Sequence, residues 1–209
     1  MKYILLIQIL LLILITAILG CGSENLSFIN EPQSSETSVK GSKSITVSDQ
    51  RIENIIEGTN LGQRIPDVKM TLLDGTEITT GELVRDAKPT FLFFNAIFCP
   101  MCREELKKLH TIYPDYIGKV TFFSVGIDPT ETLIDLNSQR EQGGYAWDIS
   151  VAGVGMLSSL NVVQQSTKIA FNEDGLIIYR KGYGEGSISE WEEVMNKLSA
   201  TISNSIKYN

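Results

Sequence analysis

Phe91-Leu92-Phe93-Phe94-Asn95-Ala96-Ile97-Phe98-Cys99-Pro100-Met101-Cys102-Arg103-Glu104-Glu105-Leu106-Lys107-Lys108-Leu109 is the stretch that decides the fold. Its first half is a nearly continuous apolar run, as expected of a central strand covered on both faces. The helix predicted after it opens with Pro100, which suits a first helical position because the N–H it lacks would be unpaired there anyway. Two thiols therefore stand where a buried strand turns into a helix. A cysteine at a helix N-terminus meets unpaired backbone N–H groups and the positive end of the helix dipole, both of which favour thiolate over thiol. Cys102 follows about one turn later on roughly the same face, close enough to close a short disulfide with Cys99. Redox exchange is the chemistry this arrangement permits.

Downstream, the helix is expected to run from Pro100 to about Ile112 and to stop before Pro114, since the residue ahead of a proline is pushed out of the α region. Val120 to Ile127 reads as the next buried strand. A second helix follows Asp128-Pro129-Thr130-Glu131, carries Leu133, Leu136 and Arg140 on successive turns, and closes at Gly143-Gly144. Ile169-Ala170-Phe171, Glu173-Asp174-Gly175 and Leu176 to Tyr179 form an antiparallel hairpin pattern. Ser189-Glu190-Trp191-Glu192 matches a capping box, and Trp191, Val194, Met195, Leu198 and Ile202 give the last helix its apolar stripe. Upstream, Val68 to Leu72 alternates, Asp74-Gly75 turns, and Glu77-Ile78-Thr79 returns as a hairpin. This order of elements predicts an α/β domain over residues 60–203: a central mixed sheet with helices on both faces and an N-terminal β-hairpin extension. Residues 204–209 are a short tail.

Gly182-Tyr183-Gly184-Glu185-Gly186 fails the Gly-x-Gly-x-x-Gly pattern of a nucleotide site and reads as a flexible exit loop. His110, the only histidine, lies two turns beyond Cys102, too far to touch either thiol, and reads as a surface or edge residue.

At the start of the chain, Lys2, an apolar run from Ile4 to Leu19 and Gly20 predict a secretory signal over residues 1–20. Cys21 after Gly20 resembles the lipobox of bacterial-type lipoproteins, which implies cleavage before Cys21 and a diacylglycerol on its thiol. Leu19 departs from that pattern, where a small residue is usual. An uncleaved anchor is the alternative, because the apolar run could just span a bilayer. Both readings tether the protein to the outer face of a membrane. Residues 21–59 then hold the lipidated cysteine, a polar tether from Ser23 to about Lys43 with too little apolar surface to fold, and a short helix carrying Ile52, Ile55 and Ile56.

The chain of 209 residues has 25 acidic and 18 basic side chains, a net charge of −7. Removing residues 1–20 takes away Lys2 and no acid, leaving −8. An acidic domain without a basic cluster repels phosphate backbones, which excludes nucleic acid as a partner. With Cys21 assigned to lipid, the other two cysteines form one pair. A loop that short constrains the unfolded chain little, so reactivity explains the pair better than scaffolding. A zinc site would need two further ligands, and no second cysteine pair or His-x-x-x-His is present.

Ile65-Pro66-Asp67-Val68, Leu73-Asp74-Gly75-Thr76, the run from Phe94 to Leu106, and Asn172-Glu173-Asp174-Gly175-Leu176-Ile177 look, in that order, like landmarks of the TlpA-type membrane-anchored thioredoxins within the AhpC/TSA (peroxiredoxin-like) redoxin superfamily. The resemblance covers nearly the whole of residues 60–203. It implies a thioredoxin fold and thiol–disulfide exchange with protein disulfides, with no cofactor. It also implies that Cys99 is the exposed nucleophile that attacks a partner disulfide and that Cys102 is the resolving thiol. Glu105 stands where such proteins carry a buried glutamate that handles protons; from the residues alone, among Arg103, Glu104, Lys107 and Lys108, it would belong to a solvated helix face. In this family a loop facing the thiols docks the partner's backbone, and alignment on Asp174-Gly175 puts Gln165, Ser166 and Thr167 there. Ser166-Thr167 replaces the usual Pro-Thr. The Gln165–Ser166 bond is expected to be trans, because a cis bond before a non-proline costs about 2.5–4 kcal/mol. Asn95 replaces the usual tryptophan, and Met101 the usual second proline of the loop.

The function expected is that of an extracytoplasmic, membrane-anchored thiol–disulfide oxidoreductase. Its substrates would be exported proteins whose disulfides it reduces, with electrons from a membrane or exported donor. Two alternatives remain. A peroxiredoxin-like peroxidase typically carries Thr-x-x-Cys with an arginine, where Asn95 or Ala96 precedes Cys99 here. A metal-binding redoxin of the copper-delivery type usually needs Cys-x-x-x-Cys and a distant histidine.

Overall fold

A computed structural model describes the backbone of residues 55–205 and the side chains of residues 55–200. The signal segment, Cys21 and the polar tether lie outside the described residues. The helix expected around Ile52, Ile55 and Ile56 also begins outside them, and its described end is not helical. There the Arg64 N–H donates to the Ile56 carbonyl at 3.0 Å and the Gly58 N–H to the Arg64 carbonyl at 2.9 Å. Those donors and acceptors are spent across the chain, and Glu57 forms an isolated bridge to Arg64 in place of a helical turn.

Seven strands make one sheet: β1 Lys69–Leu72, β2 Glu77–Thr79, β3 Thr90–Asn95, β4 Thr121–Gly126, β5 Asp148–Ala152, β6 Thr167–Phe171 and β7 Ile177–Lys181. Their order is β2-β1-β5-β4-β3-β6-β7. The β3–β4 and β4–β5 pairs are parallel and the others antiparallel, so the sheet is mixed as expected. The helices are α1 Thr80–Arg85, α2 Pro100–Ile112, α3 Leu133–Gly143, α4 Met156–Ser159 and α5 Ile188–Ser205, with a 3-10 turn at Tyr113–Tyr116.

The apolar run that begins at Phe91 supplies β3, and every residue of that strand is buried. Because strand side chains alternate between faces, Phe91 and Phe93 enter one core while Leu92 and Phe94 enter another. The first core lies under α2 and α5, with Leu106, Leu109, Trp191 and Leu198. It includes an aromatic stack in which Trp147 sits 4.4 Å from Phe122 and 4.6 Å from Tyr145, ring centre to ring centre. The second lies under α1 and α4, with Met70, Leu83, Met156 and Leu160. Burying each of these large side chains is worth about 1.5–3 kcal/mol, so β3 is the anchor from which both layers hang.

Most elements match expectation. The α2 helix ends before Pro114, and α3 closes on Gly144, whose φ of 67° is left-handed and favours glycine. One cap is displaced. The N-cap of α5 is Ser187, not Ser189: its Oγ accepts the Glu190 N–H at 3.3 Å and its carbonyl the Trp191 N–H at 3.0 Å. Ser187…Glu190 and Ser189…Glu192 both fit the capping pattern, and Gly186, with φ 99°, turns the chain into the helix at the earlier one. Strand β5 and helices α1 and α4 lie outside the pattern read from the sequence. Helix α1 follows β2 without a loop because Thr79 and Glu82 cap each other, with contacts of 3.1 and 2.8 Å.

Candidate active site

Strand β3 ends at the carboxyl edge of the parallel strands, where α/β sheets place their sites. From Asn95 the chain turns through Ala96-Ile97-Phe98, with the Cys99 N–H donating to the Ala96 carbonyl at 3.0 Å. Cys99 is then the N-cap of α2, and its Sγ accepts the Cys102 N–H at 3.0 Å. Pro100 takes the first helical position, where no N–H is needed. The two cysteines form a disulfide, with their Cα atoms 5.3 Å apart. On reduction the same N–H would favour a thiolate at Cys99, as capping donors favour any anion at a helix N-terminus.

Neither cysteine is open to solvent in this oxidised form: Cys99 is 1% and Cys102 0% exposed. The expectation of an exposed Cys99 is corrected in that respect. Its sulfur turns inward onto the Cys102 N–H, and the neighbouring surface is offered instead by Phe98, 61% exposed.

Helix α2 buries Cys102, Glu105, Leu106, Leu109 and Ile112, a stripe at helical spacing. Glu105 therefore lies one turn beyond Cys102 on the core face, not on the solvated face that its charged neighbours suggest. The solvated face belongs to Glu104 and Lys107, which pair with each other at 2.8 Å. Glu105 instead meets Lys168 of β6, with Oε1 2.7 Å from Nζ. The Ser166 hydroxyl donates to Oε2 of the same carboxylate. That hydroxyl in turn accepts from Lys168 Nζ at 3.3 Å and from the Gly184 N–H at 3.0 Å, so its one donor and two acceptor sites are all used. Lys168 Nζ also donates to the Glu185 carbonyl at 2.8 Å and lies 5.6 and 5.7 Å from the Phe93 and Trp191 ring centres. Burial pulls the Lys168 ammonium below its ordinary pKa, while the bond and charge of Glu105 oppose that pull.

Lys168 escaped the reading of the sequence. The available signal was a lysine inside Thr167-Lys168-Ile169-Ala170-Phe171, a strand with no polar face, since all five of its residues are buried. The exit loop is likewise not loose. The Glu185 carboxylate accepts the Gly182 N–H at 2.7 Å, and the loop backbone holds both Ser166 and Lys168.

The three residues expected to dock a partner are placed differently from one another. Ser166 is buried, its φ is 62°, and its N–H donates to the Phe94 carbonyl at 2.7 Å. Its peptide bond to Gln165 is trans, as expected. Thr167 is buried and donates its hydroxyl to the Gln164 carbonyl at 2.8 Å. Gln165 alone of the three is partly exposed.

Asn95, in place of the usual tryptophan, is buried and donates to Gln139 at 2.6 Å. Beside it Glu131 accepts the Ile97 N–H at 2.7 Å, bracing the turn that leads to Cys99. Desolvation is the largest influence on the Glu131 carboxyl and pushes its pKa up, against that N–H. Ile97, Phe98, Arg103, Glu131 and Gln139 line a cleft of about 550 Å³ next to the turn. His110 touches no thiol; it packs 5.6 Å from the Tyr145 ring.

A family model described as the AhpC/TSA family matches residues 61–166. The chain is 33% identical over 123 residues to the methylamine utilization protein MauD of Methylobacillus flagellatus, covering 59% of this chain and 58% of that one. It is 24% identical over 144 residues to the thiol-disulfide oxidoreductase ResA of Bacillus thuringiensis subsp. konkukian, covering 68% and 81% respectively. This chain thus spans less than two thirds of the first relative and about four fifths of the second. The crystal structure of the thioredoxin domain of a thiol-disulfide oxidoreductase from Bacteroides vulgatus matches with a TM-score of 0.56 at 19% identity, over 67% of this chain and 98% of that one. The fold is a thioredoxin fold.

Proposed function

The chain belongs to the AhpC/TSA family, and by its relatives and its single Cys99–Cys102 pair it is a thiol–disulfide oxidoreductase of thioredoxin fold; on that premise we propose that it reduces the disulfides of exported proteins from the outer face of a membrane. The observation that carries the proposed chemistry is the Cys102 N–H aimed at Cys99 Sγ at 3.0 Å. Lowering a thiol pKa from about 8.5 to about 7 takes roughly 2 kcal/mol of preferential thiolate stabilisation, within reach of a capping hydrogen bond and a helix dipole.

In the reduced protein the Cys99 thiolate attacks one sulfur of the partner's disulfide. That S–S bond breaks, and the other partner sulfur leaves as a thiolate that takes a proton from water. Cys102 then gives its proton to Glu105 and attacks Cys99 Sγ, breaking the mixed disulfide and closing the Cys99–Cys102 bond. Two electrons pass to the partner, which leaves as a dithiol, and an exported or membrane donor restores the pair. Gln165, beside the buried Ser166 and Thr167, supplies the docking edge for the partner's backbone, and Phe98 an apolar contact at the point of attack.

Anchoring rests on residues 1–21, by the signal pattern and the Gly20-Cys21 junction, with residues 21–59 as the lipidated cysteine and spacer ahead of the redox domain at 60–203. Among the described residues no helix is long and apolar enough to cross a membrane. The reduction potential of the Cys99–Cys102 couple tests the direction of electron flow. A value near −270 mV is expected, and one near −120 mV would overturn the reductant reading.

A further inference from the structure

We propose that Lys168 is a positioning residue for the resolving step: its buried ammonium holds Glu105 as a carboxylate, fixed in place by Ser166, in the form that can take a proton from Cys102. This inference rests on the proposed exchange reaction, in which Cys102 resolves the mixed disulfide.

A carboxyl group buried as deeply as Glu105, whose side chain is 3% exposed, does not stay charged on its own. It neutralises by keeping a proton, and a neutral carboxyl is a poor acceptor for another. Lys168 at 2.7 Å supplies the missing countercharge. Its own three N–H donors all find acceptors: Glu105 Oε1, Ser166 Oγ and the Glu185 carbonyl. The faces of Phe93 and Trp191 add cation–π attraction within 6 Å, so the ammonium form is satisfied even though burial opposes it.

Ser166 has a part here that a proline could not take. Its hydroxyl donates to Glu105 Oε2 while accepting from Lys168 and from the Gly184 N–H, so both carboxylate oxygens are bound from the side of β6. The titratable and charged groups around Glu105 come from four elements. Cys99 and Cys102 share its helix, and Lys168 lies on β6. Tyr179 lies on β7, its hydroxyl receiving the Trp191 indole N–H at 3.0 Å and kept neutral by burial. Glu185 sits in the 182–186 loop with its carboxylate turned to the Gly182 N–H. Of these groups, Lys168 brings the positive charge.

The step balances without a further reactant. The Cys102 S–H bond breaks, the proton goes to a Glu105 oxygen, the Cys102 sulfur forms the S–S bond with Cys99, and the bond from Cys99 to the partner breaks with the electron pair on the partner's sulfur. Glu105 later returns the proton to water.

The test follows the reduced full-length protein against a chromogenic aromatic disulfide across the pH range. Attack by Cys99 releases a first coloured thiolate, and resolution by Cys102 releases a second. The Lys168→Met variant is expected to slow the second release by about tenfold or more near pH 6, with the gap to wild type narrowing as pH rises. Glu105→Gln is expected to stay slow relative to wild type throughout. A Lys168→Met profile that superimposes on wild type would overturn the inference and leave the exchange reading intact. A wild type in which Cys99 reacts but no second release follows would overturn the exchange reading itself. Where Lys168→Met does not fold, carboxyl carbon NMR of the wild type, assigned with Glu105→Gln, decides the question. An ionised Glu105 near pH 6 supports the inference, and a protonated one overturns it.

Discussion

Lys168 and Glu105, 63 residues apart in the chain, meet at 2.7 Å with side chains that are 0% and 3% exposed. Each makes the other tolerable inside the first core, because a lone charge there would be stripped of water without compensation.

Breaking that pair from one side is therefore expected to cost far more than removing it whole. Glu105→Met or Lys168→Met should each lower unfolding stability by about 3–5 kcal/mol, since each leaves a buried polar group without the partner that compensates it. The double variant should recover most of that loss, because an apolar pair of similar volume is often neutral or better. Urea midpoints of the four proteins check this. Equal losses in the single and double variants would show that the pair matters by its shape and not by its charge.

Restoring the proline expected at position 166 should harm this protein. Ser166 holds a φ of 62°, which a proline ring cannot adopt, and its N–H donates to Phe94 at 2.7 Å. Ser166→Pro is expected to cost about 3 kcal/mol or more, whereas Ser166→Gly keeps the backbone and loses only the hydroxyl, about 1–3 kcal/mol. Thermal unfolding of both variants checks the order, and a proline variant as stable as wild type would refute it.

Alkylation of the reduced protein reads the Cys99 thiolate directly. Its rate against pH is expected to turn over below the ordinary thiol value of about 8.5, with Cys99 modified ahead of the deeper Cys102. Peptide mapping of the first adduct identifies the site. A turnover near 8.5 would mean that the Cys102 N–H confers no thiolate preference.

Glu131 sets a pH dependence with a definite sign. Burial raises its folded pKa above the ordinary 4.5, so the folded protein holds that proton more tightly than the unfolded chain. The stability this contributes is fully present below about 4.5 and is lost as pH rises through the folded value. Glu131→Gln removes the titration while keeping an acceptor for the Ile97 N–H. Wild type is expected to lose ground against the variant between about pH 4 and pH 7, read as the difference of their melting temperatures. A difference that does not change with pH would sink the claim.

Local chemistry made much of the fold legible. Phe91 to Phe94 between a helix start and a turn could only be a doubly covered strand, and Pro100 and Gly144 mark helix ends through φ alone. The thiols at the β3–α2 junction were visible for the same reason, because every feature that defines that junction lies within a dozen residues. Strand β5 was not, since Asp148–Ala152 gains its partners from β1 and β4, strands about 80 and 25 residues away in sequence. The cap at Ser187 was missed because two equivalent local patterns overlap, and only the turn at Gly186 chooses between them.

What the sequence by itself determined is the reactive pair and the helix end that holds it, whose physics is local. What the tertiary structure alone decided is the environment behind that pair. Glu105 reads as solvated among its neighbours, Lys168 escapes notice and Ser166 reads as a lost proline. They become one buried network only when antiparallel pairing of β3 with β6 brings position 168 opposite Phe93, under the core face of α2. A burial cost and the countercharge that meets it arise from segments the chain order keeps apart, so no local pattern could have shown them together.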